Sequence, residues 1–219
     1  MKNRNFLSSD LRVVFTNFLS LLVLKGGNYI FPLIYLPYLI KTVGVSSFGL
    51  ISFAEAFMLY FKSVVDYGFD LTATRDIANN RADIYYLRRK MTIVLAVKCF
   101  LLILLAIGLF FLVNYSPLFS GNKILYFFSF LSVVGYALLP TWFFQGVEKM
   151  KVVTVLFFVA RLISTCSLFV FVQDRSDYIL VPLINGVGFI VSGAIGLGLM
   201  YRTGIKLVKV SVGDCFGEI

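Results

Sequence analysis

Predominantly apolar stretches of about twenty residues recur along this chain, and that is the length at which an α-helix crosses the hydrocarbon core of a bilayer. Lipid offers nothing to satisfy free peptide groups, so only helices and closed barrels span it. A barrel would show short segments alternating with period two, a pattern absent here. Of the 219 residues 59% are hydrophobic and only 14% charged, against about 25% charged in a soluble domain. The chain therefore predicts an all-α polytopic membrane protein. Six helices are expected, over Val14–Ile40, Ser47–Asp70, Met91–Val113, Lys123–Phe144, Val152–Val172 and Tyr178–Tyr201. The connections KTVGVS, NYSPLFSGN and QDRS carry turn residues. Leu71–Lys90 is mixed in charge and reads as an interfacial helix or loop, and 211–219 as a short cytoplasmic tail. The first apolar run is too long for a signal peptide and reads as a retained span.

Basic residues assign the sides. Lys2, Arg4, Arg12, Arg75, Arg81, Arg88, Arg89, Lys90, Lys149, Lys151, Arg202, Lys206 and Lys209 flank the spans on one side, and only Lys41, Lys123 and Arg175 on the other. By the positive-inside rule both termini are cytoplasmic. The net charge of +9 thus reflects topology and anionic headgroups, not nucleic acid. There is no histidine, and Cys99, Cys166 and Cys215 follow no metal or disulfide spacing, so they read as packing residues. No metal or cofactor site is predicted.

The remaining four cations, Lys25, Lys62, Lys98 and Arg161, lie inside predicted spans together with Glu55 and Asp66. A charge at a helix centre costs about 2.5–3.5 kcal/mol on insertion scales, too much for six such groups to be incidental. At about 1.5 Å per residue, Lys62, Lys98 and Arg161 sit roughly 12–14 Å above the cytoplasmic edge and Lys25 roughly 17 Å. Glu55, Lys62 and Asp66 are spaced to share one helix face, and Thr154, Ser164 and Thr165 fall near the stripe of Arg161. Polar stripes that face one another enclose a wet cavity, and the surplus of cations suits it to an anion. Two structural alternatives stay open: Lys62 and Asp66 pair at i,i+4, and Lys98 snorkels to the interface. Lys25 and Arg161 are deeper and have no acidic neighbour on their own helices.

Pro32 and Pro37 permit the first helix to bend, as a moving part or a static kink. Gly188, Ser192 and Gly196 make a small-xxx-small packing face, and Trp142–Phe144 sits where an aromatic belt is expected. Neither a phosphate loop nor a Ser-His or Cys-His constellation is present, which favours transport over catalysis.

The blocks NYIFPLIYLPYLIKTVGVSSFGLISFAEAFMLYF, VDYGFDLTATRDIA and PTWFFQGVEKMK, in this order and spacing, resemble the Wzx-type O-antigen flippases. These are bacterial inner-membrane exporters within the multidrug/oligosaccharidyl-lipid/polysaccharide superfamily. The resemblance implies one lobe of a two-lobe, MATE-like transporter, truncated where the family approaches its seventh helix. It also implies a substrate, undecaprenyl-pyrophosphate bearing a sugar repeat unit, and polysaccharide polymerase and other assembly proteins as partners. Lys25, Lys62, Lys98 and Arg161 would then line the substrate cavity, with Glu55 and Asp66 as coupling or gating groups. Rival readings are a multidrug antiporter of the same superfamily, which would favour an acidic cavity, a non-transporting membrane fragment, and a membrane-embedded glycosyl- or acyltransferase.

The charge asymmetry makes a testable prediction. A cysteine introduced at Lys123 should react with an impermeant maleimide on intact cells, and one at Arg88 only after permeabilisation. External labelling at Arg88 would invert the assignment.

Overall fold

The computed structural model describes residues 3–208 and, up to residue 29, only some of the side chains. Lys2, Lys209, Cys215 and the expected tail lie outside the described residues, as do the side chains of Arg4, Arg12 and Lys25. The first helix, α1 (Asn3–Asp66), is helical throughout except at Gly44, where φ is 82° and ψ 160°. A straight helix of that length would run about 96 Å, some three bilayer cores. Gly44 divides it into two limbs, 3–43 and 45–66, through a backbone conformation that essentially only glycine adopts. The expected KTVGVS turn is therefore a one-residue break, and Pro32 and Pro37 stay inside the first limb without ending it.

Beyond α1 come α2 (Phe69–Asn79), α3 (Ile84–Tyr115), α4 (Pro117–Ser120) and α5 (Lys123–Leu138). They are followed by α6 (Thr141–Gly146), α7 (Met150–Phe171), a 3-10 turn (Arg175–Ile179) and α8 (Leu180–Arg202). Five helical stretches among the described residues are long and apolar enough to cross a membrane, the first containing the Gly44 break. The protein is thus an all-α polytopic membrane protein.

Contacts set the chain directions. Phe31 meets Phe158, their ring centroids 5.2 Å apart, and Tyr38 Oη donates to the Val172 carbonyl at 2.7 Å, so the first limb runs parallel to α7. Glu55 and Lys62 meet Asn185 and Phe189 in the same order, so the second limb runs parallel to α8. Ser192 Oγ donates to the Leu156 carbonyl and Ser164 Oγ to that of Ile184, which makes α7 and α8 antiparallel. The two limbs of α1 are therefore antiparallel as well.

Several helix ends depart from expectation for local reasons. The second limb stops at Asp66, before Asp70, because Tyr67 (φ 49°) and Gly68 (φ 82°) take left-handed conformations. The expected helix over Lys123–Phe144 divides at Pro140, which has no N–H to donate and disfavours helix at Leu139. α3 begins at Ile84, earlier than expected, because the Asp83 carboxylate caps it by accepting from the Tyr86 N–H at 3.0 Å.

Trp142, Phe143 and Phe144 are not a belt. They are fully buried beneath α2 and α3 in a core with Phe69, Ile77, Leu87 and Val94. Gly146 allows this, since a methyl group there would lie 2.6 Å from Ile77 Cγ2. Cys99 and Cys166 are exposed on the helix surfaces and not packed inside.

The end of the bundle formed by α2, α6 and the start of α3 is tied by charge. Lys90 pairs with Asp76 at 2.8 Å, and Arg81 with Glu148 at 2.7 Å, a contact that holds the Glu148 carboxyl below its ordinary range. Arg88 donates from Nε and Nη2 to the Gly204 carbonyl, and Val208 N–H donates to Thr92 Oγ1, so the chain leaving α8 is strapped onto α3.

α8 is seated by small residues on two sides. Towards α7, Gly188 lies against Ser164 and Gly196 approaches Leu156, with Pro140 beside it. Towards α5, methyl groups at Gly186 and Gly193 would lie 2.6 Å and 2.8 Å from Leu131 Cβ and Leu138 Cβ. Gly135 of α5 completes that seam, because a methyl group there would come within 2.5 Å of Phe189 Cβ. Gly135→Ala should therefore destabilise the protein by about 1–3 kcal/mol through overpacking. Gly108→Ala, with nothing within 4 Å of the added carbon, should be neutral or stabilising. Thermal melting of both variants in detergent checks this, and equal melting would contradict the tight α5–α8 seam.

Candidate functional site

Three helices converge on one polar group within the bundle. The second limb of α1 contributes Glu55 and Lys62, two turns apart; α7 contributes Arg161; and α8 contributes Asn185 and Phe189, one turn apart. Asn185, 6% exposed, donates from Nδ2 to Glu55 Oε1 at 3.2 Å. Lys62 Nζ lies 5.4 Å from the centroid of the Phe189 ring, and the Arg161 guanidinium carbon 5.0 Å from the same centroid. Tyr35 of the first limb is within electrostatic range of both Glu55 and Arg161.

Two cations on one ring can be no more than about 10 Å apart. At an effective dielectric of about 20 their repulsion is at least about 1.6 kcal/mol. Each cation–π contact returns about 0.5–2 kcal/mol when partly desolvated and works against that repulsion, and Glu55 lies within electrostatic range of Lys62. Neither Lys62 nor Arg161 has a carboxylate within 4.0 Å among the described residues. Arg161 Nε is also buried without a hydrogen-bond partner. A buried guanidinium donor left over in this way is costly unless an acceptor reaches it, and a charged acceptor satisfies it best. The arrangement can hold an anion.

Lys98 and Asp66 belong to a second group. Lys98 is 2% exposed and does not snorkel: its Nζ lies 3.5 Å from Asp66 Oδ1 and 5.9 Å from the Tyr136 ring centroid. Asp66 thus pairs across to α3 and not with Lys62 on its own helix. Beside it, Asp70 accepts hydrogen bonds from Tyr136 Oη at 3.2 Å and Thr141 Oγ1 at 3.0 Å. The two groups adjoin, since Gly135, packed on Phe189, precedes Tyr136. The structure therefore brings together Lys62, Arg161 and Glu55, sets Lys98 and Asp66 apart, and leaves the Lys25 side chain outside the described residues.

Asn185 was legible in part as a lone amide in the apolar run LVPLINGVGF. Phe189 carried no signal among 24 phenylalanines. An apolar groove of about 560 Å³ between α7 and α8 includes none of the charged residues, and it is not this site.

A family model described as polysaccharide biosynthesis protein matches residues 14–213. Two relatives, each named "Putative O-antigen transporter", align with most of the chain. The one from Escherichia coli (strain K12) is 35% identical over 192 residues, covering 86% of this chain and 45% of its own. The one from Shigella dysenteriae is 30% identical over 191 residues, covering 85% and 46%. The chain thus spans about half the length of these relatives. No solved structure matches it.

The Lys98–Asp66 pair makes a prediction. Asp66→Asn strands a buried ammonium and should destabilise the protein by about 2–3 kcal/mol, less than for a fully buried pair because Asp66 is 19% exposed. Adding Lys98→Met should recover most of that loss. Detergent melting of the single and double variants measures the coupling, and strictly additive effects would mean the two groups do not depend on each other.

Proposed function

The chain belongs to the polysaccharide biosynthesis protein family, and on that premise we propose that it forms one lobe of a transporter for lipid-linked oligosaccharide in the bacterial inner membrane. The observation that carries this reading is the pair Lys62 and Arg161 on one ring, with a buried guanidinium N–H left unpartnered. A pyrophosphate offers acceptors of the right charge and geometry. Arg161 supplies a planar fork for two of its oxygens and Lys62 a compact point charge. A cationic drug would meet the wrong sign here, and the relatives are named as transporters, not enzymes.

In this reading the chain makes six passes with both ends cytoplasmic, the two limbs of α1 being the first two. Movement of the substrate from inner to outer leaflet requires a second lobe to close the cavity. Glu55, held by Asn185 and within electrostatic range of Lys62, would compete with the incoming phosphate for that cation, which suits a coupling group. Asp66, three turns away from Glu55, acts in the second group as the counter-ion of Lys98. Lys25 is assigned to the same cationic lining from the sequence alone, its side chain lying outside the described residues. The oligosaccharide emerging outside would pass to a polysaccharide polymerase.

The test is export in a strain lacking its own flippase, with the lobe in a two-lobe protein. Arg161→Ala should nearly abolish surface polysaccharide and Arg161→Lys should retain part of it, both at normal membrane abundance. Normal export by well-expressed Arg161→Ala would remove this residue from the site.

A further inference from the structure

We propose that Phe189 is the positioning residue of this site: its ring holds Lys62 and Arg161, from two different helices, as a preorganised cation pair that receives a pyrophosphate. The proposal rests on the anion reading given above and adds to it the device that keeps two like charges together.

No carboxylate among the described residues pairs with either cation within 4.0 Å, so ion pairing does not hold them. Both are long, flexible side chains whose mutual repulsion would drive them apart. The feature they share is the ring of Phe189, its centroid 5.4 Å from Lys62 Nζ and 5.0 Å from the Arg161 guanidinium carbon. An aromatic quadrupole attracts a cation within about 6 Å of its centroid, and it does so without supplying a negative charge that would repel a phosphate. A carboxylate in the same place would hold the cations equally well and would oppose the ligand. That difference is the physical reason for an aromatic residue here.

The ring itself is restrained from two sides. Its Cβ lies where only a glycine at 135 leaves room, at 2.5 Å from the position of an added methyl group. The Phe157 ring meets it edge-on, with centroids 6.0 Å apart and planes at 80°. Phe157 and Arg161 are one turn apart on α7, so the same helix face braces the ring and delivers the guanidinium to it. One turn earlier on α8, Asn185 anchors Glu55 at 3.2 Å. A ring so restrained transmits its position to both cations.

The experiment uses the 219-residue chain in lipid nanodiscs, with lysine labelled at Cε, and farnesyl pyrophosphate as the probe. The Lys62 Cε–H resonance, assigned by its loss in Lys62→Arg, should be displaced upfield of the exposed lysines by the ring current. Phe189→Leu keeps an apolar side chain of similar bulk and removes the quadrupole. It should abolish that displacement and weaken farnesyl pyrophosphate binding about 5- to 30-fold, with helicity unchanged. Phe189→Tyr and Phe189→Trp should keep the displacement and bind within about 3-fold of the unaltered chain. Farnesol, which lacks the pyrophosphate, should be indifferent to all three substitutions. Unchanged pyrophosphate affinity in Phe189→Leu, or a Lys62 resonance that ignores the ring, overturns the proposal. If the unaltered chain does not bind farnesyl pyrophosphate, the anion reading fails instead, and the Lys62 resonance alone decides whether the ring positions the cation.

Discussion

A charge inside a bilayer must find a partner within the protein, because hydrocarbon offers none and the cost of isolation is several kcal/mol. Each described intramembrane charge of this chain meets that constraint differently. Lys98 is buried against Asp66 and the Tyr136 ring. Glu55 accepts from the Asn185 amide. Lys62 and Arg161 rest on Phe189. The first solution neutralises the charge and is structural in character. The last leaves two cations against a neutral ring, with no carboxylate within 4.0 Å among the described residues, and it is the candidate site.

The site depends on α8 lying close to both neighbours. Gly188, Ser192 and Gly196 seat it on α7, while Gly186 and Gly193, with Gly135 across the seam, seat it on α5. In lipid no hydrophobic force drives helices together, so close backbone approach and packing carry the association. The small residues that make this approach possible also place Asn185 and Phe189 opposite the second limb of α1. Helix packing and the placement of the candidate site are therefore consequences of the same glycine pattern.

At the other end of the bundle the chain uses ordinary ion pairs and a buried aromatic core. Lys90–Asp76, Arg81–Glu148 and the Arg88 contact to the Gly204 carbonyl join α2, α3, α6 and the segment after α8. Trp142–Phe144 fills the space between them. The chain leaving α8 is thus held against α3 through Ile205, 3% exposed.

Hydropathy by itself determined the class of fold and approximately where each span lies, because the cost of exposing peptide groups in lipid is summed along the chain and needs no knowledge of neighbours. Charge identity within the spans pointed to Lys25, Lys62, Lys98, Arg161, Glu55 and Asp66 alike, because the expense of a charge at that depth is local, and it could not say which of them share a site. Of the helix breaks, the one at Gly44 was legible as part of the turn segment KTVGVS, whereas those at Tyr67–Gly68 and Pro140 fell inside expected helices. Tertiary structure alone decided the partners. It sent Asp66 to Lys98 across helices, it buried Trp142 where the linear pattern suggested a belt, and it selected Phe189 from 24 phenylalanines. Aromatic side chains look alike along an apolar helix, and the one that serves two cations is distinguished only by what α1 and α7 bring to its face.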